Sequence, residues 1–329
     1  MGIWQFKKYL KPNVKKLFQL SLDEGSTPCV QCSKLAKLLK LEKLYLKRED
    51  INPTGSFKDR SLAYQLSAHL QEGKDKFVIS SSGNAAISAI SYSKLFKSTL
   101  DVFVAKNIPA DKLMRLLDTA EITEFNHSIL QADTPQLIEK NNLTIHFSKR
   151  AKSDSIKYAR QNNSVLLRGS NDDLATVGFK TISYELIEQA KDADSIFIPC
   201  SSGTSTVGIY QGYNDMKQSS IPIHIVQTTK IHPMASQFDK KFKKTEMSLS
   251  SAISDRVALR KDQVLQIVVR SGGGGWVISD DEIMSTQAFY KLYCNIITSF
   301  DSSLALAGLI KALTNKVSVK KPVLILSGK

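Results

Sequence analysis

Short apolar runs alternate along this chain with longer segments in which apolar residues recur at helical spacing. Three runs have strand character, at residues 77–80, 195–199 and 323–327. A helical pattern begins at Lys58 and has a leucine at every fourth position from Leu62 to Leu70. Short strands that alternate with helical segments are typical of α/β proteins with largely parallel sheets. The sequence therefore predicts an α/β fold.

Lys58 lies between a turn and this helix. Residues 52–55 read Asn-Pro-Thr-Gly, a turn sequence, and they follow the strand-like run 44–46. We expect the adjacent Phe57 to shield the Lys58 amine from water. Partial desolvation favours the neutral amine, which is the form that makes a Schiff base with an aldehyde. An ordinary solvated lysine at a helix start is the alternative, and the motif alone leaves it open.

A loop with hydroxyl and amide groups follows the run 77–80. Ser81, Ser82 and Asn84 surround Gly83, directly before a helical segment. Backbone N–H groups at a helix N-terminus bind anions, so this loop is suited to a carboxylate, with the Asn84 amide available to a phenolic oxygen. Serine and asparagine are also common helix caps, which is the structural alternative.

A second loop, after residues 195–199, is richer in hydroxyl groups. Five hydroxyl residues and one glycine surround a single turn, whereas a helix cap needs only one hydroxyl. A phosphate takes several hydrogen bonds from hydroxyls, amides and a helix N-terminus. The G-x-x-x-x-G-K-[ST] pattern is absent, which disfavours a nucleotide-binding loop. We predict a phosphate site at Ser201, Ser202, Gly203, Thr204 and Ser205.

A hydroxyl residue also ends the last apolar run, where Ser327 follows residues 323–326. Ligands of open α/β sheets collect at the C-terminal edge of the strands, so Ser327 is a candidate for ligand contact. A frayed chain end that happens to contain a serine is the alternative.

The order and spacing of these four features resemble fold type II pyridoxal-phosphate enzymes, the tryptophan synthase β family. Within this family the chain most resembles the threonine synthase branch. The resemblance rests on three motifs: Gly-Ser-Phe-Lys-Asp-Arg at 55–60, Ser-Ser-Gly-Asn-Ala-Ala at 81–86 and Glu-Gly-Ser-Thr-Pro at 24–28. Dehydratases of this fold typically have isoleucine in place of Asp59. The resemblance implies two three-layer α/β domains with the cofactor in the cleft between them. Residues 1–75 and 152–329 would form the large cofactor-binding domain and 76–151 the small inserted one.

The resemblance also implies which residues hold the cofactor, pyridoxal 5′-phosphate. Lys58 matches the lysine that carries it as a Schiff base and later moves protons, with Phe57 beside it. Asn84 matches the asparagine that bonds the pyridoxal hydroxyl, and the loop 201–205 matches the phosphate cradle. Ser327 matches the hydroxyl residue that faces the pyridine nitrogen, where a neutral group suits elimination and replacement chemistry.

Substrate contacts follow the family less closely. Ser81 and Ser82 match the loop that receives the substrate carboxylate. Threonine synthases commonly have an asparagine and an arginine that help to bind the phosphate of phosphohomoserine, whereas the aligned positions here are Gly169 and Ala175. Absence of the arginine removes charge-assisted hydrogen bonds worth about 1.5–3 kcal/mol each. Arg168 and Lys112 are the candidates that compensate for this loss.

The leading interpretation is a pyridoxal-phosphate lyase that converts O-phosphohomoserine and water to threonine and phosphate. Two alternatives within the fold are a serine/threonine ammonia-lyase and a β-replacement enzyme that uses an activated serine. An alternative of another class is an interaction protein that kept the fold and lost catalysis. It is motivated by Gly169, by Ala175 and by the chain end two residues after Ser327.

Composition adds expectations about partners and location. The net charge of +14 raises the question of nucleic acid, but the lysines are scattered and no nucleic-acid-binding motif accompanies them. We therefore expect a small amino-acid substrate, phosphorylated in the leading interpretation, and no nucleic acid. The N-terminus lacks an apolar signal core and no span of about 18 apolar residues exists, which predicts no membrane contact and a cytoplasmic protein. The resemblance implies a homodimer.

The cysteines and histidines predict no metal site. Cys29 and Cys32 form a single C-x-x-C without a second pair, and the five histidines show no ligand spacing. Cys29, Cys32, Cys200 and Cys294 are all expected to pack in the interior, with no disulfide scaffold.

Overall fold

The computed structural model describes residues 2–132, 134 and 136–329, and it confirms the predicted α/β class. Helices and strands alternate along these residues, and the strands form two largely parallel sheets. The strands are β1 (Cys29–Gln31), β2 (Tyr45–Lys47), β3 (Lys76–Ser80), β4 (Thr99–Ala105), β5 (Gln136–Lys140), β6 (Leu143–Ser148), β7 (Val165–Leu166), β8 (Ser195–Pro199), β9 (Ile223–Thr228), β10 (Gly275–Ile278) and β11 (Pro322–Ile325).

Most of the longer helices lie between strands of the parallel parts of the two sheets. They are α1 (Ser33–Leu38), α2 (Lys58–Gln71), α3 (Asn84–Ser93), α4 (Ala110–Thr119), α5 (Ser128–Gln131), α6 (Ala151–Gln161), α7 (Leu174–Gln189), α8 (Thr204–Asp215), α9 (Lys261–Ser271), α10 (Asp280–Phe289) and α11 (Phe300–Thr314). Short 3₁₀ helices lie at Gly2–Phe6, Lys16–Phe18, Glu49–Ile51 and Ala235–Gln237, and a π-helical turn at Tyr290–Cys294. Within the described residues, no helix is both long and apolar enough to cross a membrane.

The chain divides into two compact units. The first comprises Met1–Glu24 and Lys58–Gly178, and the second comprises Gly25–Phe57 and Phe179–Lys329. The chain passes from one unit to the other at three points, and one of them is the peptide bond between Phe57 and Lys58. The domain boundaries inferred from the family resemblance, which place residues 76–151 in an inserted domain, stay a prediction.

The first unit contains a five-stranded sheet in the order β5-β6-β4-β3-β7. All neighbouring strands are parallel except β5 and β6. The central strands β3 and β4 are buried along most of their length, as expected for parallel strands covered on both faces. This burial fixes the end of β3, and with it the start of the loop that carries Ser81 and Ser82.

The second unit contains a six-stranded sheet in the order β1-β2-β11-β8-β9-β10, in which only β1 and β2 are antiparallel. Alternate residues of its strands enter two different apolar clusters: Phe197 and Leu324 belong to one, and Ile196, Ile198 and Val323 to the other. Successive side chains of a strand point to opposite faces, so both faces of this sheet are covered. The C-terminal ends of β8, β9 and β11 therefore meet at one edge.

Most predicted elements are confirmed, with one correction at the chain end. β8 has the predicted bounds, β3 begins one residue earlier, and α2 begins at Lys58. The final strand ends at Ile325 rather than at Ser327. Beyond it, Gly328 forms an antiparallel bridge with Ser56, which draws the last residues away from the parallel ladder.

The expectation that the cysteines form no disulfide is wrong, although Cys32 lies in an apolar cluster and Cys294 packs against it, as predicted. Cys32 and Cys294 form a disulfide, with Cα atoms 5.6 Å apart. These residues are separated by 262 positions, so no local spacing could indicate the pair. Cys29 and Cys200 are not part of a disulfide, and burial raises the pKa of Cys29 to about 11, which disfavours its reactive thiolate.

Candidate active site

The turn before Lys58 is held by a buried asparagine of the second unit. The Asn52 side-chain oxygen accepts from the Gly25 N–H at 2.8 Å, and its amide nitrogen donates to the Glu49 carbonyl at 2.8 Å. Gly55 has φ +88°, in the left-handed region that favours glycine. The Gly55 N–H donates to the Asn52 carbonyl at 2.7 Å and closes the turn. The N-P-T-G sequence therefore forms the predicted turn through its own polar groups.

The last residues of the chain pair with the other side of this turn. The Phe57 N–H donates to the Ser327 carbonyl at 3.1 Å, and the Lys329 N–H donates to the Gly55 carbonyl at 2.9 Å. The Ser302 hydroxyl at the start of α11 donates to the Gly328 carbonyl at 2.6 Å and fixes the tail. Ser327 is thus the backbone partner of the residue that immediately precedes Lys58.

The Phe57 ring lies in the core of the second unit. It is 8% exposed and packs edge-on against Phe179, with ring centroids 5.1 Å apart. Its place beside the cofactor stays a prediction, while its contribution to packing is clear from this contact. Burying the ring fixes the direction in which the chain leaves the turn toward Lys58.

Lys58 is the half-buried first residue of α2 in the first unit. The first turn of α2 packs very closely against α7. A Cβ atom at Gly178 would lie 1.9 Å from the Arg60 carbonyl oxygen, so only glycine permits this approach. The Ser61 hydroxyl also donates to the Ala175 carbonyl at 2.7 Å. Backbone packing therefore fixes the turn of helix that carries Lys58.

Beneath the turn, the second unit buries an ionic network that no sequence pattern indicated. Lys47 of β2 is fully buried, and its amine donates to Glu185 at 2.5 Å and to the Thr27 carbonyl at 2.6 Å. The Thr27 hydroxyl donates to Glu49 at 2.5 Å, and Glu49 in turn accepts from Asn52 at 2.9 Å. Buried charges are retained only when paired and hydrogen-bonded. The network therefore ties the turn to α7 through opposite charges.

The hydroxyl-rich loop follows β8 and leads into α8, as predicted. The Ser201 hydroxyl accepts from the Ser254 N–H at 3.1 Å, and the hydroxyls of Ser202 and Thr204 lie 2.9 Å apart. Ser205 is 7% exposed. Gly203 has φ +86°, and a Cβ there would lie 2.4 Å from the Val264 Cγ2 atom of α9.

This loop also presents backbone donors. Among the described residues, no acceptor is present for the backbone N–H groups of Gly203, Thr204 and Ser205. Unpaired N–H groups at a helix start, together with the helix dipole, attract anions. Neighbouring hydroxyls on the same turn supply further donors. The loop therefore offers groups of the kind that bind an anion such as phosphate.

The first unit positions Asn84 against a residue that sequence reasoning missed. Asn84 is the first residue of α3, and its side-chain oxygen accepts from the Arg115 guanidinium at 2.8 Å. Ser81 and Ser82 are half-buried in the preceding loop, where the Ser81 hydroxyl accepts from the Gly83 N–H at 3.2 Å.

Arg115 lies on α4, which also carries Lys112. The two residues are three positions apart, a spacing that puts them on the same face of a helix. Lys112 is one of the residues suggested above as a compensating phosphate contact, and it lies in the first turn of α4. The i, i+3 spacing between Lys112 and Arg115 is the sequence feature from which Arg115 could have been identified as a second cation on this face. The loop that carries Asn84 thus has a cationic neighbour on α4.

The structure explains why Ala175 cannot be an arginine without rearrangement. Ala175 is 1% exposed, and its carbonyl is taken by Ser61. The preceding Asp172 accepts from Gln65 at 2.6 Å and contacts the His69 ring at 2.8 Å. Burial raises the pKa of Asp172, but the hydrogen bonds from His69 and Gln65 outweigh it, and the pKa is lowered. This segment therefore stabilises the packing of α2 rather than presenting a cation.

The sequence profile of the family described as pyridoxal-phosphate dependent enzymes matches residues 20–328. The chain belongs to this family. Its cofactor is therefore pyridoxal 5′-phosphate. The free amides and hydroxyls of the loop 201–205 fit the phosphate group of this cofactor. Within the described ranges, no group of three or more His, Cys, Asp or Glu residues is arranged to hold a metal ion.

Curated relatives include enzymes with two related activities. A threonine synthase of Methanocaldococcus jannaschii is 25% identical over 326 residues, which cover 95% of this chain and 76% of the relative. An L-threonine ammonia-lyase of Thermotoga maritima is 22% identical over 291 residues, which cover 87% of this chain and 66% of the relative. The family follows from the profile match, and these two relatives carry different reactions.

Solved structures share the fold. Maize serine racemase superposes with a TM-score of 0.72 at 18% identity, covering 99% of this chain and 93% of that protein. A processed form of threonine deaminase isoform 2 from Solanum lycopersicum superposes with a TM-score of 0.74 at 16% identity, covering 99% and 84%. The fold type II architecture inferred from the sequence motifs is thereby confirmed.

Replacing Gly203 by alanine is expected to weaken cofactor binding. The new methyl group would enter a left-handed backbone position, at a cost of about 1–2 kcal/mol, and would press on Val264. The cradle amides would then shift from their places. Equilibrium dialysis of pyridoxal 5′-phosphate measures the effect as a higher dissociation constant.

Gly272 provides a matched control because it has a similar φ of +75° but no atom within 4 Å of an added Cβ. The Gly272→Ala variant should bear the same kind of backbone strain and keep its cofactor affinity. Equal weakening in both variants would mean that the cradle has no special part in cofactor binding.

Proposed function

We propose that this protein is a threonine synthase-like lyase that converts O-phosphohomoserine and water to threonine and phosphate. The observation that carries the proposal is the Arg115 guanidinium beside Asn84, with Lys112 on the same face of α4. A substrate with only an amino-acid carboxylate needs one anion site, whereas a phosphorylated substrate needs a second one. The similarity to a threonine synthase along 95% of the chain supports the same choice.

The proposed roles of the chain's own residues follow from their chemistry. The Lys58 amine would hold the cofactor through its aldehyde carbon and, once released, would accept and return the substrate α-proton. Ser81 and Ser82 would bind the substrate carboxylate, and Asn84 would donate to the cofactor's phenolic oxygen. When bound, the cofactor supplies the electron sink for elimination.

We propose that residues of the second unit contact the cofactor's phosphate group and its pyridine nitrogen. Ser201, Ser202, Gly203, Thr204 and Ser205 would bind its phosphate. Ser327, 7% exposed and with no hydrogen bond from its hydroxyl to another described residue, would face the pyridine nitrogen. In the threonine synthase-like reaction, phosphate leaves the γ-carbon and water adds at the β-carbon. We further propose a cytoplasmic homodimer, as the family resemblance implies.

A threonine or serine ammonia-lyase is the second candidate. Gly169 and the buried Ala175 favour it, because neither position supplies the phosphate contact expected of a threonine synthase. The similarity to an L-threonine ammonia-lyase supports it as well. This reaction needs only the elimination half, without water addition to the substrate carbon chain.

Substrate profiling of the cofactor-loaded protein separates these candidates. With O-phosphohomoserine we expect phosphate and threonine in a one-to-one ratio, measured by phosphate assay and amino-acid chromatography. Formation of 2-oxobutyrate from threonine or pyruvate from serine, without threonine from O-phosphohomoserine, would assign the ammonia-lyase instead. Turnover of an activated serine alone would point to β-replacement, and no turnover of any of these would favour an interaction protein.

A further inference from the structure

The second unit contains a positively charged cavity that the proposed reaction does not use. Its volume is about 440 Å³, which is within the range of small-molecule sites. We call it the basic pocket and define it by the charged and imidazole side chains that line it: Lys230, His232, Lys244, Glu246, Arg256 and Lys261. Four of these carry a fixed positive charge and one is acidic.

Of the four cations of the basic pocket, Lys230 and Lys261 are half-buried, whereas Lys244 and Arg256 are exposed. In the residues that the structure describes, no ion pair or side-chain hydrogen bond is formed by Lys230, Arg256 or Lys261. By contrast, Lys47 and Lys311 each have a carboxylate within 4.0 Å. Like charges gathered around one cavity raise its positive potential, which attracts an anion. The charge pattern therefore favours an anionic ligand.

Contacts other than ion pairs hold the wall of the basic pocket in place. The His232 Nδ1–H donates to the Thr228 carbonyl at 3.1 Å, and the ring packs edge-on against Phe242 with centroids 4.5 Å apart. Lys261 is the first residue of the 11-residue helix α9, and the preceding Arg260 provides no side-chain cap for it. An uncapped helix start adds its dipole to the positive field.

The basic pocket adjoins the phosphate cradle without sharing its residues. Arg256 follows Ser254 and Asp255, whose N–H groups donate to the Ser201 hydroxyl at 3.1 and 3.3 Å. None of residues 201–205 lines the pocket. The cofactor phosphate and a pocket ligand would therefore occupy separate places on one unit.

We propose that the basic pocket binds a small phosphorylated metabolite through its dianionic phosphate group. Lysine and arginine donors suit phosphate, and the volume exceeds that of phosphate alone, so an organic portion can be accommodated. The site does not depend on which amino acid the enzyme converts. The pocket would recognise its ligand by charge and size. Inorganic phosphate released in a reaction carries the same anionic group and would be bound by the same side chains.

Isothermal titration calorimetry of the cofactor-loaded protein tests the proposal, because the cradle is then already filled. Inorganic phosphate is the first probe, and adenosine monophosphate is the second. We expect saturable binding at one site per chain. In a Lys230→Gln/Arg256→Gln variant the affinity should fall by roughly tenfold for each charge-assisted hydrogen bond that the substitutions remove. Tighter binding of adenosine monophosphate than of phosphate would identify a metabolite with an organic portion, and equal binding would identify phosphate itself.

A Lys243→Gln/Lys291→Gln variant is the matched control, since it removes the same charge from exposed positions outside the pocket. It should bind both probes like the wild type. The cofactor absorption band and the unfolding midpoint of both double variants show whether each remains folded. Absence of saturable binding in the wild-type holoenzyme, or equal weakening in both variants, would overturn the proposal.

Discussion

Replacing Lys58 by alanine is expected to abolish the covalent attachment of the cofactor and to reduce turnover by about 10²–10⁴-fold or more. The variant lacks both the amine that reacts with the aldehyde and the group that moves the α-proton. The helix α2 begins at this residue and tolerates alanine, so the fold should persist. The measurement is the absorption band of the loaded protein near the visible edge, followed by borohydride reduction and mass spectrometry of the intact chain.

In the wild type, borohydride should fix the cofactor to the peptide that contains Lys58. A Lys74→Ala variant is the control, because Lys74 is an exposed lysine just beyond the end of α2. It should keep the band and the fixed cofactor. If Lys58→Ala protein still gained the cofactor mass on reduction, another lysine would hold it and the proposed site would be wrong. If wild-type protein showed no band at all, the interaction-protein alternative would gain support.

Replacing Lys47 by methionine is expected to lower the free energy of unfolding by about 3–5 kcal/mol, the range for a buried ion pair from which one partner is removed. Lys47 is fully buried, and its removal leaves Glu185 and Glu49 in the interior without their cation. Water cannot replace the missing charge in a closed interior. Chemical unfolding followed by circular dichroism measures the change as a lower midpoint.

The same variant should also bind the cofactor less tightly. Glu49 accepts from Asn52, and Asn52 holds the turn that leads to Lys58. Loss of the Lys47 charge beside Glu49 would disturb this hydrogen bond, so the geometry of the turn would relax. Cofactor affinity is therefore a second readout, measured by equilibrium dialysis on protein that is still folded. A change in global stability alone would leave this affinity unaltered.

Lys43→Met is the matched control, just before the start of β2. Lys43 is partly exposed and pairs with Asp192 at 2.7 Å, so water screens the pair and its removal should have a much smaller effect. In a Lys47→Met/Glu185→Leu variant, removal of both charges should restore part of the stability. Similar destabilisation by Lys43→Met and Lys47→Met would contradict the assignment of the network as a buried structural element.

Local sequence patterns determined the elements that carry the candidate chemistry. The turn at 52–55, the helix start at Lys58 and the two hydroxyl-containing loops each depend on neighbouring residues. Turn propensity, apolar periodicity and unpaired amides at a helix start are properties of short segments. These features can therefore be predicted without tertiary contacts, and the family profile bears out the cofactor that they indicated.

Only the tertiary structure decided which distant groups support those elements. Lys47 meets Glu185 across 138 positions, Asn84 meets Arg115 on another helix, and the last residues pair with the turn before Lys58. The Cys32–Cys294 disulfide joins residues 262 positions apart. Such pairs have no signature in residue spacing, because packing of whole elements brings them together. The sequence by itself thus determined where the reactive groups stand along the chain, and the packing of helices and sheets decided which charges surround them.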